Sequence, residues 1–401
     1  MTTETPSVPN MHEIPRERLQ RDELTDDRGN YPNDWVTSPL QATVIRQNTL
    51  TGAGYKEAIG YTFLLYSMKF PSVVRMDDGR LLMNASYEAQ SDERPWVLLF
   101  SDDEGRSWSQ PVPSQLGRCT LTNLGGNRLM SLGTMPTSAA LFALRFSADG
   151  GKSWSDPEAA PPISDGRHWG TDVPYSHLVE GQKVTFVGAV DEHPGYEHWE
   201  ESNSIFTRGI IRTYHLDTHE WDDPYLFPMD WGLSEASVTR AKNGDLVAVF
   251  RTQLMDGIRI TTDHWMGLAT TRSTDDGKTW EKPVQAFLYG HHHMNLRALP
   301  DGRLLMTYAS RIGELEGMPY HGIEAVVSHD DGKTWDWNRR YILFRELSDQ
   351  IMHSPGSVML SDGSIFTTFM HTKGYTWDDG TVGPRSQKTI GNVSAVIWKP
   401  W

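Results

Sequence analysis

The sequence has one cysteine, few basic residues for its size, and no long apolar run. A single cysteine, Cys119, excludes an intrachain disulfide and any zinc site built from several cysteines. No stretch comes near the roughly 18 consecutive apolar residues of a membrane-spanning helix. The 37 basic residues against 52 acidic ones give a formal charge of −15, which argues against nucleic acid or an anionic membrane as a partner.

The N-terminal segment lacks the basic stretch and following apolar run that mark a secretory signal peptide. A cytoplasmic location is therefore expected, or a secreted one if a signal has been removed. The negative charge does not exclude an acidic small substrate, because a few basic side chains can cluster at one site of an acidic protein. No long amphipathic helix is apparent, so we expect a fold made of strands.

Glycine, proline and tryptophan are abundant. The 401 residues include 35 Gly, 23 Pro and 15 Trp, a composition typical of short strands joined by frequent turns. Length alone suggests two or three domains of about 150 residues. A closed ring of repeats would instead form one large domain of the same length.

One eight-residue pattern, S-x-D-x-G-x-x-W, occurs four times, starting at Ser101, Ser147, Ser273 and Ser328. Serine and aspartate side chains bond the amides of a turn, glycine accepts a positive φ, and tryptophan packs back onto the apolar layer. The aspartates of these boxes are therefore interpreted as structural, not catalytic. A degenerate copy surrounds Trp221.

A second pattern, two apolar strands joined by a glycine-containing turn, occurs six times. Turns of the DG, NG and GG type between strand-like runs predict β-hairpins. The spacing of the six turns suits four-stranded antiparallel blades around an axis. We therefore predict an all-β chain that forms a six-bladed β-propeller. The turn glycines are Gly79, Gly126, Gly181, Gly244, Gly302 and Gly363.

The propeller is expected to span residues 40–401, after an irregular, charged lead-in of residues 1–39. A strand that begins near Leu40 is expected to pair with the one that begins near Val393 and so complete the last blade. Such closure would remove the free sheet edges through which strands pair with other chains.

The boxes and hairpins resemble the sialidase (neuraminidase) superfamily of Asp-box, or BNR-repeat, six-bladed propellers. The resemblance covers roughly residues 40–401 and implies an active site at the centre of one face. In that family three arginines bind the substrate carboxylate, an aspartate is the acid/base, and a glutamate activates a tyrosine nucleophile. The same blades also occur in other glycosidases, in sugar lyases and in proteins without enzymatic activity.

The resemblance implies three basic residues that bind the substrate. Lys69 stands where the first family arginine is found, and Arg251 and Arg311 match the second and third. Lysine keeps the positive charge but lacks the planar fork with which arginine binds a carboxylate through two bonds.

The resemblance also implies the catalytic residues. Asp92 is the best match to the acid/base aspartate, with Glu93 as the near alternative, and Glu235 matches the glutamate. A loop carboxylate can protonate a leaving glycosidic oxygen if burial raises its pKa. His353 stands in place of the tyrosine. Histidine is a poor glycosyl nucleophile, so His353 is expected to assist Glu235 or to activate water.

Three further residues are candidates for substrate binding. His292 belongs to the triplet 291–293 that opens the fifth repeat, and Tyr320 and His321 lie near Arg311 in the sequence. Because successive side chains of a strand point to opposite faces, the three histidines are not expected to converge as metal ligands. We predict no metal and no cofactor, and which histidine faces the site stays open.

These patterns favour an exo-acting glycosidase that releases a terminal, acidic sugar from a glycan or glycoconjugate. The two matched arginines favour a carboxylated sugar, either a nonulosonic or a uronic acid. Lys69 and His353, which stand in place of the family arginine and tyrosine, argue against ordinary sialic acid. Two alternatives remain: a polysaccharide lyase that acts on uronic-acid glycans, and a carbohydrate-binding propeller without activity. The expected partner is in each case a carbohydrate, and the oligomeric state stays open.

Overall fold

A computed structural model of the protein confirms the predicted all-β, six-bladed propeller. The part of the chain that the structure describes contains no helix with the length and hydropathy of a membrane span. The predicted lead-in of residues 1–39 lies outside the described residues. The structure describes residues 44–48, 55–59, 62–66, 68–87, 96–135, 138–164, 166, 176–191, 207–227, 233–252, 267–287, 291–315, 318–346, 351–372 and 391–400.

Three described strands precede the first blade, and the first three blades follow in chain order. The preceding strands are β1 (Val44–Asn48), β2 (Tyr55–Ile59) and β3 (Thr62–Tyr66). Blade one contains β4 (Met68–Arg75), β5 (Leu81–Tyr87), β6 (Trp96–Ser101) and β7 (Val112–Ser114). Blade two contains β8 (Cys119–Gly125), β9 (Arg128–Met135), β10 (Ser138–Ser147) and β11 (Glu158–Ala159). Blade three contains β12 (Leu178–Glu180), β13 (Lys183–Asp191), β14 (Thr207–His215), β15 (Glu220–Trp221) and β16 (Tyr225–Leu226).

The last three blades have the same inner-to-outer order of antiparallel strands. Blade four contains β17 (Leu233–Arg240), β18 (Leu246–Thr252), β19 (Gly267–Ser273) and β20 (Val284–Phe287). Blade five contains β21 (His291–Ala298), β22 (Leu304–Leu315), β23 (Met318–Ser328), a short 3-10 helix (Trp337–Arg339) and β24 (Tyr341–Glu346). Blade six contains β25 (Ile351–Met359), β26 (Ile365–Thr372) and β27 (Gly391–Trp398).

The strand that completes blade six differs from the predicted one. The prediction placed the segment after Leu40 against the strand near Val393, but β27 pairs with β3. The β1 strand instead pairs with β2, which lies parallel to β24 at the outer side of blade five. The segment that directly precedes the first inner strand therefore closes the ring, because it reaches the last blade without a long connection.

The four boxes form the predicted turns. In the first, Ser101 Oγ donates to Asp103 Oδ1 at 2.9 Å and the Gly105 amide donates to Ser101 Oγ at 2.8 Å. The Ser107 amide donates to Asp103 Oδ1 at 2.7 Å, and Trp108 Nε1 donates to the Gly105 carbonyl at 3.2 Å. These aspartates bond their own turns, as predicted. The serine–aspartate and glycine–serine bonds recur in the boxes that begin at Ser147, Ser273 and Ser328.

The hairpin turns also agree with the prediction, because all six turn glycines have a positive φ between 60° and 97°. Apolar side chains from neighbouring blades pack between the sheets in six clusters, one for each pair of adjacent blades around the ring. The contact of Trp108 in blade one with Phe366 in blade six, with ring centroids 5.9 Å apart, belongs to the cluster that joins the first blade to the last. This packing holds the six inner strands around one axis.

Candidate functional site

The inner strands carry β-bulges close to the residues at which they begin. A bulge adds a residue to one strand and changes the direction of its side chain. In blades one, four and five, a residue other than glycine has a positive φ within the bulge: Phe70 at 54°, Glu235 at 35° and His293 at 55°. The register shifts lie between Lys69 and Ser72, Ser234 and Ala236, His292 and Asn295, and His353 and Gly356.

The backbone at Glu235 and His293 is strained. A positive φ is uncommon for residues other than glycine and costs on the order of 1–3 kcal/mol unless the surroundings hold the residue in place. Both residues are buried, with 3% and 2% of their surface exposed. Such strain clusters at functional sites, and here it turns two charged or polar side chains from different blades toward each other.

Glu235 is the centre of a buried group of charged side chains. Arg251 Nη1 lies 2.9 Å from Glu235 Oε1, and His293 Nδ1 lies 2.9 Å from Glu235 Oε2. Arg251 Nε also donates to Ser234 Oγ at 3.1 Å. Glu235 and Arg251 belong to neighbouring strands of blade four, whereas His293 opens the inner strand of blade five. Each carboxylate oxygen therefore has a charged or polar partner at the boundary of two blades.

His292 completes what we call the Glu235 cluster, which consists of Glu235, Arg251, His292 and His293. The rings of His292 and His293 are nearly parallel, with centroids 5.5 Å apart and an interplanar angle of 23°. His292 is fully buried. His291 points elsewhere, with its ring 5.3 Å from that of Tyr308.

The cluster includes a set of residues with the chemistry of metal ligands. Glu235, His292 and His293 each offer a ligand atom within 4.8 Å of the others, and two imidazoles with a carboxylate are a zinc-type set. In this structure the carboxylate already lies against the Arg251 guanidinium and the His293 ring. The positive charge of Arg251 opposes the addition of a dication at the same carboxylate. The group is therefore better described as an ion-paired carboxylate with two imidazoles.

The structure brings three of the predicted site residues together: Glu235, Arg251 and His292. It describes the backbone of four others, each in a strand, but not their side chains. His321 is buried in β23. Asp92 and the alternative Glu93 lie outside the described residues. The residues described by backbone alone are Lys69 in β4, Arg311 in β22, Tyr320 in β23 and His353 in β25.

His293 was not among the predicted site residues. The prediction relied on strict alternation of side chains along a strand, which would place His292 and His293 on opposite faces. The bulge between His292 and Asn295 interrupts that alternation. Both imidazoles therefore reach the neighbourhood of Glu235, while His291 does not join them. A run of three histidines at a strand start was the only signal in the sequence.

Comparison with protein families supports the assignment of the fold. Residues 128–367 match a family model described as a BNR repeat-like domain. No curated protein sequence matches the chain.

Solved structures with the same fold include proteins of different activities. A Dyadobacter fermentans DSM 18053 protein of unknown function is 18% identical, with a TM-score of 0.56 over 82% of this chain and 95% of that one. The GH93 α-L-arabinofuranosidase of Fusarium graminearum is 12% identical, with a TM-score of 0.50 over 82% and 93%. A Trypanosoma rangeli sialidase is 15% identical, with a TM-score of 0.51 over 90% of this chain and 58% of that one. At these identities the likeness establishes a shared propeller fold.

Proposed function

The chain belongs to the family of BNR repeat-like domains, and on that basis we propose that it is an exo-acting glycoside hydrolase that releases a terminal acidic sugar. The fold is that of a sialidase and of an α-L-arabinofuranosidase, two glycosidases that act on different sugars. Fold alone does not define an activity. The proposal therefore depends on the chemistry of the Glu235 cluster.

The observation that carries the proposal is a buried carboxylate at the start of an inner strand. Glu235 is held between Arg251 and His293, on a backbone that is strained to place it there. A carboxylate that served packing alone would gain nothing from this arrangement, because burial of a charge is costly even when it is paired. In β-propellers, active sites lie near the axis where the inner strands begin. Glu235 lies at such a position, near the start of β17.

In the proposed reaction, the bond between the anomeric carbon and the glycosidic oxygen breaks and the elements of water are added. Asp92 protonates the leaving oxygen, as the resemblance to sialidases implies. Glu235 is the second carboxylate that glycoside hydrolysis requires. Its partner His293, with His353 as the residue implied by the resemblance, assists in removing a proton from the attacking water.

An acidic sugar suits the basic residues proposed to line the site. Arg251 lies 2.9 Å from Glu235 and donates to Ser234, and these contacts hold its positive charge at the proposed site, where it would favour a substrate carboxylate. Lys69 and Arg311 are proposed as the other two basic residues, and His292, Tyr320 and His321 as further contacts. Lys69 would bind the substrate carboxylate as a point charge, without the two parallel hydrogen bonds that an arginine fork makes.

The paired histidines favour a second candidate, a lyase that acts on uronic-acid glycans. In that reaction a base removes the proton on C5, the C4–O bond breaks as the leaving oxygen takes up a proton, and a C4–C5 double bond forms without addition of water. His293, whose Nδ1 lies 2.9 Å from the Glu235 carboxylate, is a suitable base. A cation near the sugar carboxylate would stabilise the carbanion.

A panel of aryl glycosides and oligosaccharides of sialic, uronic and neutral sugars distinguishes these reactions. Products are read by mass and by ultraviolet absorbance, with wild type and Glu235→Gln compared on each substrate. Hydrolysis yields a released sugar that has gained water, and this is the expected result for an acidic sugar. An unsaturated product would show that the reaction is an elimination and not a hydrolysis. Binding without any turnover on the panel would overturn both reactions in favour of a carbohydrate-binding propeller.

A further inference from the structure

We propose that the axial channel contains a second ligand site, in which Arg297 and His177 bind a small oxyanion of the phosphate or sulfate type. This site lies at the end of the channel opposite to the Glu235 cluster. Nothing in the proposed glycosidase reaction uses it.

The site is a cavity of about 350 Å³ formed by the last residues of the inner strands. We call it the distal cavity. Arg75 ends β4, Ala298 ends β21 and Met359 ends β25, and all three line the distal cavity. His292 lies at the opposite end of β21. At about 3.3 Å per residue, Arg297 is roughly 15 Å along the strand from His292.

A smaller cavity adjoins the distal cavity on the side where the inner strands begin. It has a volume of about 30 Å³ and is lined by Phe70, Asn295 and Pro355 among others, and it shares Arg297 with the distal cavity. A space of that size holds about one water molecule. No residue of the Glu235 cluster lines either cavity, so the ligand proposed for the distal cavity is distinct from the proposed sugar substrate.

Within the described residues, Arg297 is a cation without a counter-charge. Among the residues that the structure describes, no carboxylate pairs with Arg297, and no described residue that lines the distal cavity is acidic. The other arginine at this cavity, Arg75, is bound to Glu104 by two hydrogen bonds of 2.9 and 3.2 Å. Burial lowers the pKa of Arg297 to about 10, so its guanidinium is still charged at neutral pH. Arg297 is only partly buried, and its side chain lines the distal cavity without an acidic neighbour there, so an anion bound in the cavity could supply its counter-charge.

His177 adds a second donor at the same cavity. Its Nδ1 lies 2.8 Å from Thr122 Oγ1, and its Nε2 has no hydrogen-bond partner within the described part of the chain. Burial, with the nearby charge of Arg297, lowers the pKa of His177 to about 3, so the ring is neutral. When the Thr122 hydroxyl donates to Nδ1, the proton of the neutral ring is on Nε2, which then donates.

The pair of donors selects the class of ligand. A guanidinium presents parallel N–H groups that match two oxygens of an oxyanion, and the imidazole N–H can bond a third. A cavity of this volume also accommodates the waters that an oxyanion retains. A monatomic anion would use the charge of Arg297 but not the geometry of its fork.

The test is the effect of sulfate and phosphate on the full-length protein. Calorimetric titration and melting temperature are measured against sodium chloride of equal ionic strength, for wild type, Arg297→Gln, Arg297→Lys and the exposed control Arg339→Gln. We expect saturable binding to wild type and to the control. Arg297→Gln should weaken the affinity for sulfate and phosphate at least tenfold. The affinity of Arg297→Lys should lie between those of wild type and Arg297→Gln.

A crystal grown with selenate should show an anomalous peak between Arg297 and His177. The proposal is overturned if sulfate and phosphate act no more strongly than chloride, or if Arg297→Gln binds as tightly as wild type. If Arg297→Gln does not fold, the selenate peak and the affinity of Arg297→Lys test the proposal instead. Because the variants do not touch the Glu235 cluster, this outcome is independent of the glycosidase assay.

Discussion

At the scale of single residues, the central feature is the Glu235 carboxylate, whose burial would be unfavourable without charged partners. Glu235 is 3% exposed, and both of its oxygens are paired across 2.9 Å. Removing one partner of a buried ion pair leaves an uncompensated charge, which costs more than the pair itself contributes. Arg251 and His293 therefore act on stability as well as on the proposed chemistry.

Arg251→Met should lower the free energy of unfolding by about 3–5 kcal/mol, because Glu235 would then be buried without its guanidinium. The comparison is Arg339→Met, a similar change on a side chain that is 78% exposed, which should cost well under about 1 kcal/mol. Urea unfolding followed by tryptophan fluorescence measures both. A cost for Arg251→Met no larger than that of its control would show that the ion pair does not hold Glu235.

Sequence reasoning predicted two members of the Glu235 cluster for a definable reason. Glu235 and Arg251 occupy one hairpin, so the resemblance to sialidases, which places a glutamate and an arginine in such a hairpin, was enough to propose them. His293 depends on a bulge that local sequence does not specify, and on the position of blade five beside blade four. For Asp92, whose role depends on the same three-dimensional arrangement, the assignment stays a prediction.

At the scale of structural elements, the boxes are self-contained turns that also join blades. Trp108, the last residue of the first box, contacts the ring of Phe366 in the last blade. Gly105, within the same box, has φ 89° and lies directly against that ring. Because each bond of a box is local, four residue types at fixed spacing sufficed to predict these turns from the sequence.

Two glycine-to-alanine variants separate backbone strain from crowding. Gly105 and Gly363 both have a positive φ, of 89° and 77°. A Cβ at Gly105 would lie 2.5 Å from Phe366 Cε2, whereas none of the atoms around Gly363 lies within 4 Å of a Cβ there. Gly363→Ala should cost about 1–2 kcal/mol, and Gly105→Ala about 1–3 kcal/mol more. Equal losses in chemical denaturation would mean that the first and last blades are not tightly packed at this contact.

Asp149, an aspartate of the second box, should make the stability of the protein depend on pH in the acid range. Hydrogen bonds from the Ser153 hydroxyl and amide lower the pKa of Asp149 from 3.8 to about 2. The folded state therefore favours the ionised form, and this contribution is complete above about pH 4 and is lost as pH falls toward 2. Asp149→Asn should flatten the melting temperature between pH 4 and 2 relative to wild type. The surface variant Asp156→Asn should keep the wild-type slope, and identical slopes for both would contradict the assignment.

At the scale of the whole molecule, closure of the ring brings the site together. Glu235 and His293 are far apart in sequence but adjacent at the boundary of blades four and five. Six apolar clusters fix the order of the blades. The number of blades was predictable because the turn glycines repeat. The identity of the closing strand was not, since β1 and β3 are both short strands and only the ring geometry selects β3.

The most direct test of the account is the kcat/KM of Glu235→Gln on the acidic glycoside found in the substrate panel. The matched control is Glu281→Gln, the same change on an exposed loop, and Glu235→Asp keeps the charge should the glutamine variant not fold. The account predicts a loss of about 10²–10⁴-fold for Glu235→Gln, with a pronounced loss for Glu235→Asp and activity of the control within twofold of wild type. A folded Glu235→Gln protein with wild-type kcat/KM would contradict it.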